Sequence, residues 1–168
     1  MGLLQVSTST VSSPVSDVTL TGIDDDSVYM LVVNNFVPST DAQDMKLQVV
    51  QSGSVNSSSL YHIAAKLYRT DTSYNNDASS GAQTEYDCST AIGNDTGECA
   101  NWIFHIYNAN ATEFTMFQQE TVQLGHTALL VGRQGGGAFK GTGAVEGIKM
   151  FAGSGNIASG TFTLYKVV

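Results

Sequence analysis

The sequence predicts an all-β protein built as an antiparallel β-sandwich. No long stretch places apolar residues at helical spacing. Short apolar runs rich in Val, Ile, Thr, Phe and Tyr recur instead, several of them alternating with period two. Ser, Gly, Asn, Asp and the prolines Pro14 and Pro38 stand between these runs and supply turn chemistry. At 168 residues, many short strands of this kind favour a jelly-roll-like sandwich.

Ten segments are the candidate strands. In Trp102–Tyr107 both faces are apolar, which predicts a strand buried between layers or against a second subunit. The run Val28–Val33 has the same character and indicates a central strand. In chain order the candidates are Leu3–Ser7, Val18–Ile23, Val28–Phe36, Met45–Gln51, Leu60–Arg69, Asn101–Tyr107, Glu113–Gln123, Ala128–Gly132, Gly147–Phe151 and Thr161–Val168.

The length indicates one domain. We expect residues 1–15 to form an N-terminal arm or edge strand, and residues 16–168 to form a single sandwich. A long polar loop is predicted near residues 70–100, with a short strand at Thr84–Asp87. Such a loop is either mobile at the surface or ordered by a partner subunit. The glycine-dense segment Gly132–Gly143 indicates a flexible hairpin connection.

The charge balance argues against two classes of partner. With 15 acidic residues against 7 basic ones, the net charge is −8. Nucleic-acid binding needs clustered Lys and Arg, and so does docking on an anionic membrane. No apolar run approaches the roughly 18 residues that span a bilayer, and the chain as given begins with no secretory signal pattern. We therefore expect neither a nucleic-acid partner nor membrane insertion.

The two cysteines, Cys88 and Cys99, both fall in the polar loop. They form a loop-closing disulfide, worth about 3 kcal/mol, or they remain two unlinked thiols. The disulfide needs an oxidising environment, which a virus particle outside its host would meet. Two cysteines alone do not complete a zinc site.

No enzymatic chemistry is legible in the sequence. His62, His105 and His126 fall on separate segments and are expected to be packed or surface residues. There is no Gly-x-Ser-x-Gly elbow. Gly153–Ala158 fits the letters of a dinucleotide fingerprint, but a strand follows it where a helix is needed. The prediction is a protein with no catalytic residues, no metal and no cofactor.

Five tyrosines offer two alternatives. As an exposed platform they would stack on sugars, and as ordinary residues they would pack in a core or an interface. Packing is the favoured interpretation. The five are Tyr61, Tyr68, Tyr74, Tyr86 and Tyr107.

The C-terminal segment Val145–Val167, VEGIKMFAGSGNIASGTFTLYKV, resembles the closing hairpin of virion structural proteins of tailed bacteriophages, especially marine and cyanobacterial ones. Two further segments, Val28–Asp41 and Trp102–Asn110, are similar to the same proteins and follow in the same order. Lys166 stands where the pattern often has Gly, and the middle loop carries cysteines.

This resemblance implies a non-enzymatic virion protein that decorates or cements the capsid exterior. The alternative is a tail- or head-fibre adhesin module that binds a host surface glycan or receptor. The implied partners are copies of the chain itself, as a homotrimer, and the major capsid protein or other virion proteins. The implied location is the capsid surface, after assembly in the host cytoplasm.

Three segments are the candidate interfaces: Gly2–Val15, Asp71–Cys99 and Gly132–Gly143. The first is rich in Ser, Thr and Val and is expected to add as a strand to a neighbour's sheet edge. The individual candidate interface residues are Leu3, Leu4, Val6, Val11, Tyr74, Tyr86 and Phe139.

Overall fold

The computed structural model describes residues 2–168, with the side chains of 80–82 left aside. Thirteen strands and no helix occur in this range, which confirms the all-β prediction. The strands are β1 (Leu3–Val11), β2 (Asp17–Thr21), β3 (Tyr29–Pro38), β4 (Met45–Gln51), β5 (Ser54–Asn56), β6 (Tyr61–Arg69), β7 (Tyr74–Gln83), β8 (Tyr86–Asp87), β9 (Ala100–Tyr107), β10 (Thr115–Leu124), β11 (Leu130–Phe139), β12 (Gly147–Ala152) and β13 (Ile157–Val167).

The strands form two antiparallel sheets packed as a sandwich. The larger sheet has eight strands in the order β1-β13-β3-β9-β10-β11-β6-β7. The smaller sheet has five strands. Four follow in the order β2-β12-β4-β5, and the fifth, β8, pairs with β4. The predicted antiparallel sandwich is therefore confirmed.

The core lies between the inner faces of the two sheets. Trp102 is its largest buried side chain, and its ring meets Phe36 edge-on with centroids 5.5 Å apart. Phe36 in turn meets Phe162 at 6.4 Å. The period-two alternation of the central strands explains this arrangement, because one side of each strand faces the other sheet.

The N-terminal segment is an edge strand of the larger sheet. β1 pairs with β13 from Leu3 to Val11, with a register shift after Gln5. The expectation that this segment adds to a neighbour's sheet stays a prediction. β13 occupies one edge of β1, and the opposite edge of β1 is the edge of the whole sheet, where such pairing would occur.

The polar segment near residues 70–100 is not one loop. It holds the edge strand β7 and the short strand β8, which leaves 88–99 as the irregular part. β7 reads YNNDASSGAQ, and neither of its faces is apolar. Without an apolar face the strand has no periodic signal, and the sequence therefore predicted a loop.

Residues 132–139 of the glycine-dense segment belong to strand β11, which corrects the predicted flexible connection there; residues 140–143 are irregular. β11 pairs with β10 from Leu130 to Phe139 and with β6 from Val131 to Phe139. A Cβ on Gly137 would lie 2.2 Å from the His62 carbonyl oxygen and 2.2 Å from Tyr86 Cε2. Glycine is required there because backbone and ring approach too closely for any side chain.

Residues 87–91, here called the strap, lie against the inner side of β9, β10 and β11. Gln119 Nε2 donates to the Cys88 carbonyl at 2.9 Å, and Trp102 Nε1 donates to the same oxygen at 3.0 Å. Arg133 Nη1 donates to the Asp87 carbonyl at 2.6 Å, and Gln123 bonds the Thr90 carbonyl. Each of the four side chains thus donates a hydrogen bond to the strap, which lowers the cost of burying it. Gln119 Oε1, Gln123 Oε1 and Arg133 Nε have no hydrogen-bond partner.

Arg133 is the one arginine buried in the described part of the chain. Its side chain is 1% exposed, and its Nη2 lies 2.7 Å from Asp77 Oδ2 on the edge strand β7. A buried guanidinium needs such a counter-charge. The pair therefore ties the edge of the larger sheet to its interior.

Gly137→Ala should destabilise the protein by about 1–3 kcal/mol, because the new methyl group overpacks a closed site. Urea unfolding followed by circular dichroism measures this. Gly132→Ala in the same strand is the control, since its Cβ would meet nothing closer than 3.9 Å. Equal stability of the two variants would contradict the close packing at Gly137.

Asp77→Asn should cost about 2–3 kcal/mol, because the buried Arg133 guanidinium loses its counter-charge while Asp77 itself is partly exposed. Asp71→Asn is the control. Its partner Arg69, at 3.1 Å, is partly exposed, so the loss should stay below about 1 kcal/mol. Equal losses in urea unfolding would show that burial of Arg133 adds nothing.

Candidate interaction surface

The outward side of the eight-stranded sheet, here called the outer face, is not covered by any described part of the chain. Strand β10 shows most clearly which residues form the outer face. Buried and exposed residues alternate along it, with Met116, Gln118, Glu120 and Val122 exposed. The pairings with β9 and β11 extend these outward positions across the sheet.

Most of the exposed large apolar side chains lie on the outer face. Seven occupy outward strand positions, and Phe114 directly precedes β10. Large apolar side chains that gather on one exposed face of a protein commonly mark an interaction site. The seven are Leu3, Tyr68, Tyr74, Ile103, Met116, Val122 and Leu130.

The outer face is nearly free of charge. Among its described outward strand positions, Glu120 and Lys66 are the only charged residues. Glu120 accepts a hydrogen bond from Gln134 at 3.2 Å. Depletion of charge with retention of aromatic residues and Met is the composition of an interface centre.

Three shallow depressions indent the outer face. One of about 350 Å³ is lined by Val32, Ile103 and Val122 together with the amides of Asn34 and Asn101. A second of about 430 Å³ contains Leu3, Met30, His105, Tyr107 and Val167. A third of about 430 Å³ contains His62, Met116 and Ala138. Exposed apolar side chains thus wall two of the depressions, Val122 the first and Met116 the third.

The seven candidate interface residues differ in their exposure to solvent. Leu3, Leu4 and Tyr74 are exposed, and Val6 is partly buried against the core. The remaining three, Val11, Tyr86 and Phe139, are buried in the core, which corrects their assignment. Each points inward in its strand, so none of them forms part of the molecular surface.

Sequence reasoning missed most of the outer face. The outward residues Met116, Val122 and Leu130 were not singled out. The available signal was the apolar character of both sides of Trp102–Tyr107, of which one side is core and the other is outer face. Exposed Ile103 lies on that second side.

Cys88 and Cys99 are unpaired, so the disulfide alternative does not describe this structure. Cys88 is a residue of the strap and is fully buried, and burial raises the pKa of its thiol. The Cys99 sulfur lies 3.8 Å from Asn35 Oδ1 instead. The thiols face different surroundings, and each has its own weak hydrogen-bond contact.

Two of the five tyrosines are core residues. Tyr61 and Tyr86 are fully buried, and burial raises the pKa of the Tyr61 hydroxyl to about 12. On the outer face, Tyr68 and Tyr74 meet edge-on at 6.0 Å, and Tyr107 stacks on His105 at 6.3 Å. The favoured interpretation, packing in a core, therefore holds for Tyr61 and Tyr86 only.

The described residues contain no group of three His, Cys, Asp or Glu side chains placed to hold a metal ion. They also contain no helix long and apolar enough to cross a membrane.

The acidic turn that contains Asp24 and Asp25 forms ion pairs with Lys166 of β13. Lys166 Nζ lies 3.3 Å from Asp24 Oδ1 and 2.5 Å from Asp25 Oδ2. The buried Tyr29 hydroxyl donates to Asp24 Oδ1 at 2.8 Å. The hydrogen bond from Lys166, assisted by the Ser27 amide, holds the pKa of Asp25 well below its usual value.

Lys166→Ala should raise the pKa of Asp25 toward its ordinary value. A depressed carboxyl pKa stabilises the fold above the unfolded-state pKa, and this contribution is lost as pH falls through the folded-state pKa. The variant should therefore lose less stability than the wild type between pH 5 and pH 1. Carboxyl ¹³C titration by NMR measures the pKa, with Lys149→Ala as the control that leaves Asp25 unchanged.

Comparison with known proteins gives no matching family model, no matching curated protein and no matching solved structure. The resemblance of the C-terminal segment to phage virion proteins therefore stays a prediction. The outer face is the feature of this structure from which a function can be argued.

Proposed function

We propose that this protein is a non-enzymatic structural component of a tailed-phage virion that decorates or cements the capsid exterior. One observation carries the proposal. The three segments that resemble phage virion proteins contain β3, most of β9, and β12 with β13. Of these strands, β13, β3 and β9 are adjacent in the larger sheet. Their outward sides form one part of the outer face, which β10, β11, β6 and β7 extend.

The strand order supports the same proposal. If β5, β6–β7 and β10–β11 are treated as insertions, β1-β13-β3-β9 remain in one sheet and β2-β12-β4-β8 in the other. Among these eight strands the first in the chain pairs with the last, the second with the next to last, and the same rule continues inward: β1 with β13, β2 with β12, β3 with β9, and β4 with β8. We propose that this is a jelly roll, the double Greek key found in viral capsid and lectin domains.

The proposed work of the protein is interface burial. A protein that binds only the assembled state of a capsid stabilises that state by mass action. The proposed partners are copies of this chain, for which the resemblance implies a homotrimer, and the major capsid protein or other virion proteins. An exposed, charge-poor apolar face provides the surface that such assembly requires.

The second candidate is a fibre adhesin that binds a host surface glycan. The exposed pair Tyr68 and Tyr74 favours it, because tyrosine rings present an apolar face together with a polar hydroxyl. Asn76 occupies the next outward position on β7 and adds an amide beside the two rings.

Copy number per particle tests the proposal. Quantitative mass spectrometry of purified virions, referenced to the major capsid protein, should find hundreds of copies if the protein decorates the capsid lattice. A few dozen copies or fewer would place it at a vertex, portal or fibre and favour the adhesin. Absence from purified particles would overturn both.

A further inference from the structure

We propose that the outer face binds the outer face of a second copy of this chain. The inference names the partner of the surface on which the proposed function rests. It concerns the isolated protein, however, and is tested without any virion. The argument rests on charge, area and shape.

The low charge of the outer face indicates which kind of partner it can bind. Two copies that each carry −8 repel one another, and like charges placed face to face cost several kcal/mol. The acidic residues lie almost entirely off the outer face, where Glu120 and Lys66 alone are charged. A strongly charged partner would find nothing complementary there. A second outer face is as neutral and apolar as the first.

The area is sufficient. Eight strands about 4.8 Å apart, with outward side chains along roughly 20 Å of each, give a face of roughly 800 Å². A standard specific interface buries about 800 Å² on each partner. The outer face therefore matches the area that one stable contact between copies needs.

The shape is self-complementary in character. Met116, Val122 and Leu130 project from the face, and each is about half exposed. A hollow of about 430 Å³ opens on the same side and is lined by none of these three residues. A contact between identical surfaces must place the projections of one copy in the hollows of the other. The outer face supplies both.

Val122→Lys tests the inference at the centre of the face. A lysine there would bury an unpaired charge between copies and should weaken association at least about 100-fold. Val55→Lys is the matched control, because Val55 is similarly exposed but lies on β5 in the other sheet. Circular dichroism shows that each variant is folded. Val122→Thr is the milder second variant, with a smaller expected loss.

Sedimentation equilibrium at micromolar concentration provides the readout. A contact between two identical faces is closed and gives a dimer. The wild type and Val55→Lys should therefore sediment at twice 17.8 kDa, and Val122→Lys at 17.8 kDa. A trimeric wild type would overturn the inference, because a trimer cannot be built from face-to-face pairs. A monomeric wild type would overturn the inference, and so would an oligomer that Val122→Lys leaves intact. A monomer present at hundreds of copies per virion would overturn this inference alone. A stable oligomer absent from virions would overturn only the proposed function.

Discussion

The structure depends on how the wide sheet is covered on its inner side. Eight strands face five, so the inner side of β10 and β11 extends beyond the smaller sheet. Gln119, Gln123 and Arg133 point into that region, and the carbonyls of the strap accept their hydrogen bonds. An apolar layer would leave these groups unpaired at a cost of about 1–3 kcal/mol each. Irregular backbone thus acts here as the second layer of the sandwich.

The outer face follows from this arrangement. Once the strap holds β10 and β11, their outward residues extend the apolar surface of β3, β9 and β13. The edge strand β7 is secured through the ion pair of Asp77 with buried Arg133. The same residues that complete the interior therefore set the width of the candidate interface. The acidic residues other than Glu120 lie in turns or in edge or short strands, as do Asp24 and Asp25, which share Lys166 as their counter-charge.

The fold class was predictable from the sequence because period-two alternation is a local signal. Trp102–Tyr107 and Val28–Val33 were predicted as buried or central strands, and they lie in β9 and β3 at the middle of the sheet. β7 and β11 were not predictable in this way. The first is polar on both sides, and the second owes its glycines to neighbours such as Tyr86 and the His62 carbonyl. The outer face depends on which side of each strand the smaller sheet covers, and alternation alone does not decide this.

The hairpins β6–β7 and β10–β11 determine how the width of the larger sheet could differ between proteins that share this framework. Each enters between strands of the central framework and joins the same side of the larger sheet. Because a hairpin contributes two strands, the sheet widens in steps of about 9.6 Å. Loss or gain of one hairpin would leave the connections among β1, β3, β9 and β13 unchanged. The width of the outer face would then depend on the number of hairpins added to an unchanged framework.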